Sequence, residues 1–229
     1  MPNQPHFQPS LFQFLRDLAQ NNKREWFLAN KERYEREVKA PLLQFITDFA
    51  PRLNKISQHF VADPRPSGGS MFRIHRDTRF SNDKRPYKTA ATAQFRHESG
   101  KDVHAPGFYL HLEPGNVFAG VGLWHPEGDT QRAVRDAIVE KPAEWKRAIG
   151  GKSFTQRFEV SGDSLKRAPR GYDPEHPLID YLKLKDFVAF TQFTERDACS
   201  AGFLNQYASA MRTAKPMMQF LTKAVGLAF

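Results

Sequence analysis

A single cysteine, Cys199, in 229 residues excludes an intramolecular disulfide and any zinc site built on several thiolates. No apolar run approaches the roughly 18–20 residues needed to span a bilayer as a helix. The first ten residues, Met1 to Ser10, hold neither a basic n-region nor an apolar h-region, so neither a signal peptide nor a membrane partner is expected and the location is read as cytoplasmic. Glycine-rich phosphate loops are absent, as are the G-x-S-x-G elbow, internal repeats and low-complexity tracts. The eight histidines form no H-x-H, H-x-x-x-H or H-E-x-x-H pair, so no metal or other cofactor is indicated. Segregated charge is missing too. Residues 1–70, 71–120 and 121–229 each carry a net +3 of the total +9, which argues against a basic tail that coats nucleic acid.

What is there is a globular composition, 40% hydrophobic and 26% charged with 20 phenylalanines, in a chain long enough to bury a core without staples. Leu11, Phe14, Leu15 and Leu18 recur at helical spacing behind a Ser10/Gln13 capping box, and Asn22 with Glu25 repeats that signal ahead of Trp26, Phe27, Tyr34 and Val38. Pro41 is expected to break or kink this stretch before Leu42, Phe45, Ile46, Phe49 and Leu53 resume the period. A turn-rich segment, Ala62 to Ser70, leads into a middle part that alternates with period two. Phe72 and Ile74 read as one strand and Ala91, Ala93 and Phe95 as another. Gly107 to Trp124 reads as a hairpin turning at Pro114-Gly115.

In that hairpin Tyr109 faces Gly120 and His111 faces Phe118. One face is entirely apolar, while the other carries Tyr109, His111, Glu113, Phe118, Gly120, Gly122 and Trp124. Glycine inside a strand often marks a close approach, so Gly120 and Gly122 are expected to open room beside Tyr109 and His111 for a pocket floor. Downstream, a helix through Val134 and Ile138 interrupted by Pro142, a short strand near Phe158, a short helix at Leu178 to Leu182, a strand from Phe187 to Phe193 and a last helix from about Glu195 to Leu221 are expected. The whole reads as α+β, an antiparallel sheet flanked by amphipathic helices in one domain over residues 1–229. Its parts are helical at about 10–57, sheet core at about 71–124 and mixed at about 126–229.

The densest chemistry lies between Arg73 and Lys88, where Arg73, Arg76, Arg79, Lys84, Arg85 and Lys88 stand against Asp77 and Asp83. Arginine forks bind carboxylates and phosphates bidentately and lysine adds a mobile point charge. A second basic run at 146–170 nets +5 but has no apolar period to organise it. His75-Arg76-Asp77 with Asn82 spells a kinase catalytic loop, and the missing glycine-rich loop and D-F-G set that reading aside.

The spelling R-x-x-R-D-x-R-F-x-x-D-K-x-P-Y-K over Arg73 to Lys88 resembles the signature of a widespread bacterial family of about this length, a conserved domain of unknown function. The likeness extends over nearly the whole chain. It takes in Phe14-Leu15, Asn22 to Phe27, the Gly107 to His111 strand, the Pro114-Gly115 turn, Gly120, Gly122, Pro169 to Tyr172 and His176-Pro177. The resemblance implies membership and no activity.

Three functions follow from the residues. The first is a pocket for a phosphorylated or carboxylated small ligand, held by Arg73, Arg76, Asp77, Arg79, Lys84, Tyr87, Lys88, Gly120 and Gly122, with His111 as acid or base and Tyr109 beside it. The second is nucleic-acid binding through the same basic motif, with Phe72, Phe80 and Tyr87 interleaved. The third is a structural or interaction module whose motif is an internal ion network.

Overall fold

A computed structural model describes residues 4–79, 82–100 and 104–229. Phe80, one of the aromatic residues read beside the basic motif, lies outside the described residues. The chain begins with helices α1 (Pro9–Gln20), α2 (Arg24–Ala29) and α3 (Lys31–Tyr34), then a π-helical turn at Glu35–Lys39 that runs into α4 (Ala40–Asn54). Pro41 does not break this run. It sits where the π turn runs into α4, and that wider turn accommodates a position with no N–H to donate.

Both expected capping boxes are corrected. Ser10 lies inside α1, which starts at Pro9 with Gln8 as its N-cap and no side-chain cap. Asn22 caps nothing; its amide is committed to a residue 65 positions away. A real capping box stands later, where Thr194 and Asp197 exchange hydrogen bonds at the start of the short helix Glu195–Ala198.

Five strands, β1 (Ala91–Arg96), β2 (Gly107–Glu113), β3 (Asn116–Leu123), β4 (Glu159–Ser161) and β5 (Phe187–Phe193), form one antiparallel sheet in the order β1-β2-β3-β5-β4. The hairpin register is the expected one: Tyr109 pairs with Gly120 and His111 with Phe118. Residues 71–75 form no strand. They contribute isolated bridges, Met71 to Ala93 and His75 to Tyr87, because the chain there is looping back on itself rather than extending the sheet.

The remaining helices are α5 (Gly128–Glu140), α6 (Pro142–Gly150), α7 (Lys152–Thr155), α8 (Ile179–Leu182), α9 (Glu195–Ala198), α10 (Phe203–Thr213) and α11 (Lys215–Ala224). Pro142 opens α6 instead of interrupting a longer helix. The expected last helix is three pieces, with breaks at 199–202 and at Ala214, and Pro216 falls in the first turn of α11. The architecture is therefore α+β, as the patterning implied.

The helices cover one face of the sheet. Phe95, Phe108, Leu110, Leu112, Ala119 and Leu123 are fully buried there. Phe95 meets Phe49 of α4 at 4.7 Å between ring centres, and Phe49 meets Tyr207 of α10 at 4.9 Å. Among the described residues no helix is long and apolar enough to cross a membrane.

Candidate functional site

Strand alternation sends the other half of the side chains to the opposite face. There Thr92 and Gln94 from β1, Tyr109 and His111 from β2, Phe118 and Gly120 from β3, and Val188 and Phe190 from β5 form the floor of a cavity of about 730 Å3. Its wall is the basic motif itself: Phe72, Arg76, Arg85, Tyr87, Lys88 and Thr89 fold over the sheet.

Local contacts hold that wall in place. The backbone closes on itself through Arg76 N–H to the Pro86 carbonyl at 2.8 Å and Lys88 N–H to the Ile74 carbonyl at 2.7 Å. Asn22 then exchanges two hydrogen bonds with the Tyr87 backbone, accepting at 3.0 Å and donating at 2.9 Å. The Tyr87 ring stacks on Phe27 of α2 at 4.1 Å. Tyr87 is thus 4% exposed, an anchor for the wall more than a contact for a ligand.

The charges of the motif are held in several different ways. Asp83 accepts from both Arg76 and Arg85. Asp77 accepts from Arg79 at 2.7 Å, and this pair lies on the outside. These arginines hold the Asp77 carboxyl down to about 2 and the Asp83 carboxyl lower still. Lys84 turns away and donates to the Thr78 carbonyl at 3.1 Å. Arg73 lines a neighbouring hollow of about 240 Å3 with Gly68, Gly69 and Arg96. Of the residues proposed from sequence, Arg76, Tyr87, Lys88, Tyr109, His111, Gly120 and Gly122 meet at the large cavity, while Arg73, Asp77, Arg79 and Lys84 do not. The internal ion network that stood as an alternative accounts for the two aspartates.

Lys88 differs from its neighbours. Its ammonium lies 5.1 Å from the centre of the Phe72 ring and forms no salt bridge among the described residues. Burial, with Arg73 nearby, pushes its amine below the ordinary lysine value.

The two floor glycines serve purposes other than open space. A Cβ at Gly120 would stand 3.1 Å from the Phe190 ring, so the room it leaves is filled by that ring. Gly122 has φ +124°, and a Cβ there would meet the Phe187 carbonyl oxygen at 2.0 Å, a backbone approach only glycine permits.

Residues that the sequence reading passed over complete the site. Arg85 was counted as charge and not as a site residue, Phe190 comes from a strand more than 70 residues beyond the hairpin turn, and Glu113 hydrogen-bonds His111. Glu113 carried a signal, since Tyr109, His111 and Glu113 recur with period two. Among the described residues no three His, Cys, Asp or Glu side chains gather closely enough to hold a metal ion.

The model of a family described as "Conserved hypothetical protein (DUF2461)" matches residues 10–220. The chain belongs to that family. The matched stretch takes in the whole sheet and the whole wall of the cavity. No curated protein and no solved structure matches the chain.

Proposed function

We propose that this DUF2461 protein binds a small organic oxyanion, a carboxylate or phosphate carried on an apolar, planar body, in the cavity between the sheet and the motif wall. The observation that carries the reading is Lys88: a half-buried ammonium, held over an aromatic ring without a carboxylate partner among the described residues, on the wall of a ligand-sized cavity. Burying a cation without a counter-ion is costly, and an incoming oxyanion would offset that cost. The rest of the lining suits the remainder of such a ligand. Phe72, Tyr109, Phe118, Trp124 and Phe190 offer aromatic faces and edges, and 730 Å3 falls within the range of about 300–1,000 Å3 typical of small-molecule sites. The Asp83-bound Arg76 and Arg85 supply positive potential at the same wall. No observation in the fold favours the nucleic-acid alternative over this one, because the motif's arginines are spent largely on Asp77 and Asp83.

Thermal denaturation of wild type and Lys88→Met with benzoate, phenyl phosphate and inorganic sulfate tests the proposal. The two aryl oxyanions should raise the wild-type melting temperature saturably, by the equivalent of about 2.7 kcal/mol at one hundred times Kd, and sulfate should do less. Lys88→Met keeps the length of the side chain and should lose the response while melting no lower than wild type. Absence of any shift with the aryl oxyanions, or an equal shift in Lys88→Met, would overturn it.

A further inference from the structure

Three side chains of the cavity have interlocking protonation states. Tyr109, His111 and Glu113 occupy alternate positions of β2, so the pleat turns all of them to the cavity face. The Tyr109 hydroxyl lies 3.0 Å from His111 Nδ1, and His111 Nε2 lies 3.1 Å from one Glu113 carboxylate oxygen. The other carboxylate oxygen accepts from the Thr89 hydroxyl at 2.8 Å. The imidazole is stacked on Phe118 at 4.5 Å, with 15° between the planes, which fixes its orientation. Tyr109 and His111 line the cavity, and Glu113 stands behind them.

A carboxylate only accepts, so Nε2 carries the imidazole hydrogen and Nδ1 presents its lone pair to the phenol O–H. That is the polarity in which an imidazole can remove the hydroxyl proton. The order of roles, hydroxyl then imidazole then carboxylate, is the one by which a weak hydroxyl becomes a nucleophile. We propose that Tyr109 is a nucleophile of this cavity, with His111 as its base and Glu113 as the group that orients the imidazole, acting on an ester at its acyl carbon. In the step, the Tyr109 oxygen bonds to the acyl carbon and the bond from that carbon to the leaving oxygen breaks, its electron pair staying with the leaving group. The phenol proton passes to His111 Nδ1 and from there to the leaving oxygen. Water then attacks the acyl-tyrosine by the same route, its proton going through His111 back to the phenol. The net change is hydrolysis, with no change of oxidation state.

The electrostatics are of matching sign. Burial pushes the Tyr109 phenol up to about 12, so it keeps its proton until a base removes it. Burial pushes His111 below the ordinary histidine value, outweighing Glu113, and leaves the imidazole neutral and able to accept. Burial raises Glu113, but hydrogen bonds from His111 and Thr89 outweigh it and keep the carboxylate ionised. The other charged groups facing this cavity are Lys88, Arg76 and Arg85 on the motif wall; Tyr207 of α10 lies behind the sheet against Phe49 and Phe95, its phenol pushed up by its own burial and by Tyr109.

The inference rests on the reading of the cavity as a ligand site but not on Lys88, and a neutral probe separates the two. Phenylmethanesulfonyl fluoride should transfer its sulfonyl group to the Tyr109 oxygen with loss of fluoride, faster than to the other five tyrosines, as followed by peptide mass spectrometry. Glu113→Gln, and His111→Phe with its ring still able to stack on Phe118, should slow the labelling by roughly 100-fold at neutral pH. The wild-type rate should be level from neutral pH upward and fall in acid as His111 gains a proton. In His111→Phe it should climb steadily with pH, following the bare phenol. Absence of Tyr109 labelling in wild type overturns the inference, as does unchanged labelling and an unchanged pH profile in either variant at wild-type melting temperature. Glu113→Gln is isosteric and serves if His111→Phe does not fold. Labelling without any oxyanion-induced stabilisation would sink the Lys88 reading and leave this one standing; the reverse result would do the opposite.

Discussion

The two faces of the sheet share five strands and one backbone, yet they are built to opposite ends. On the helix side, Phe95, Phe108, Leu110 and Leu112 are fully buried beneath α1, α4 and α10, with aromatic rings interleaved. On the cavity side, the same strands present Thr92, Gln94, Tyr109 and His111, covered by a loop and not by a helix. Apolar burial is non-directional and tolerates only close packing. Polar groups on a half-open face must instead be held by specific hydrogen bonds, such as the chain from Tyr109 to Thr89. One face therefore supplies the stability, and the other is released to hold a site.

The sharpest way to break this contrast is to remove one ring from each face. Phe108→Ala takes a fully buried side chain from the helix side and should cost about 3–5 kcal/mol. Phe118→Ala takes a half-buried ring stacked on His111 and edge-on to Phe190, and should cost about 1–2 kcal/mol. Urea denaturation reads both. Equal costs would mean that the cavity face is packed like a core and that the division between the faces is false.

How far this division could be read from sequence varies along the chain. The hairpin was fully legible, because period two and Pro114-Gly115 specify register and face together, and both faces of β2 and β3 come out as expected. The motif was legible as chemistry but not as geometry. Beyond Ile74, residues 75–90 have no regular period, so nothing local says that Arg85 lines the cavity with Arg76 while Lys84 and Arg79 turn out. Asn22 was misread for a related reason: a capping rule sees three residues ahead, whereas its real partner is the backbone of Tyr87, 65 residues on. Gly120 was read as space, and the ring that fills the space arrives on β5. Each miss is a contact between distant segments overriding a local rule.

A middle-sized effect tests how the cavity wall is tethered. Asn22→Ala removes both hydrogen bonds to the Tyr87 backbone and should cost about 1–3 kcal/mol. Hydrogen exchange should rise at Arg76 and Lys88, whose amides close the loop, while the Phe108 and Leu110 amides on β2 stay protected. A uniform loss of protection would show that the wall and the helix face unfold together, which would weaken the contrast between a stabilising face and a site face.

The smallest effect is expected where the sequence reading placed a ligand residue and the structure does not. Arg79 is 76% exposed and its bidentate contact with Asp77 points away from the cavity, so solvent and salt screen it heavily. Arg79→Ala should leave the melting temperature close to wild type and leave the response to benzoate intact. Arg85→Ala should weaken that response, because Arg85 lines the cavity wall and shares Asp83 with Arg76. Thermal shift at low and near-physiological salt measures both. If Arg79→Ala abolished the response and Arg85→Ala did not, the outer surface of the loop would be the anion site and the cavity would lose its claim. The two arginines lie six positions apart in one unbroken motif, so their difference comes from the fold alone.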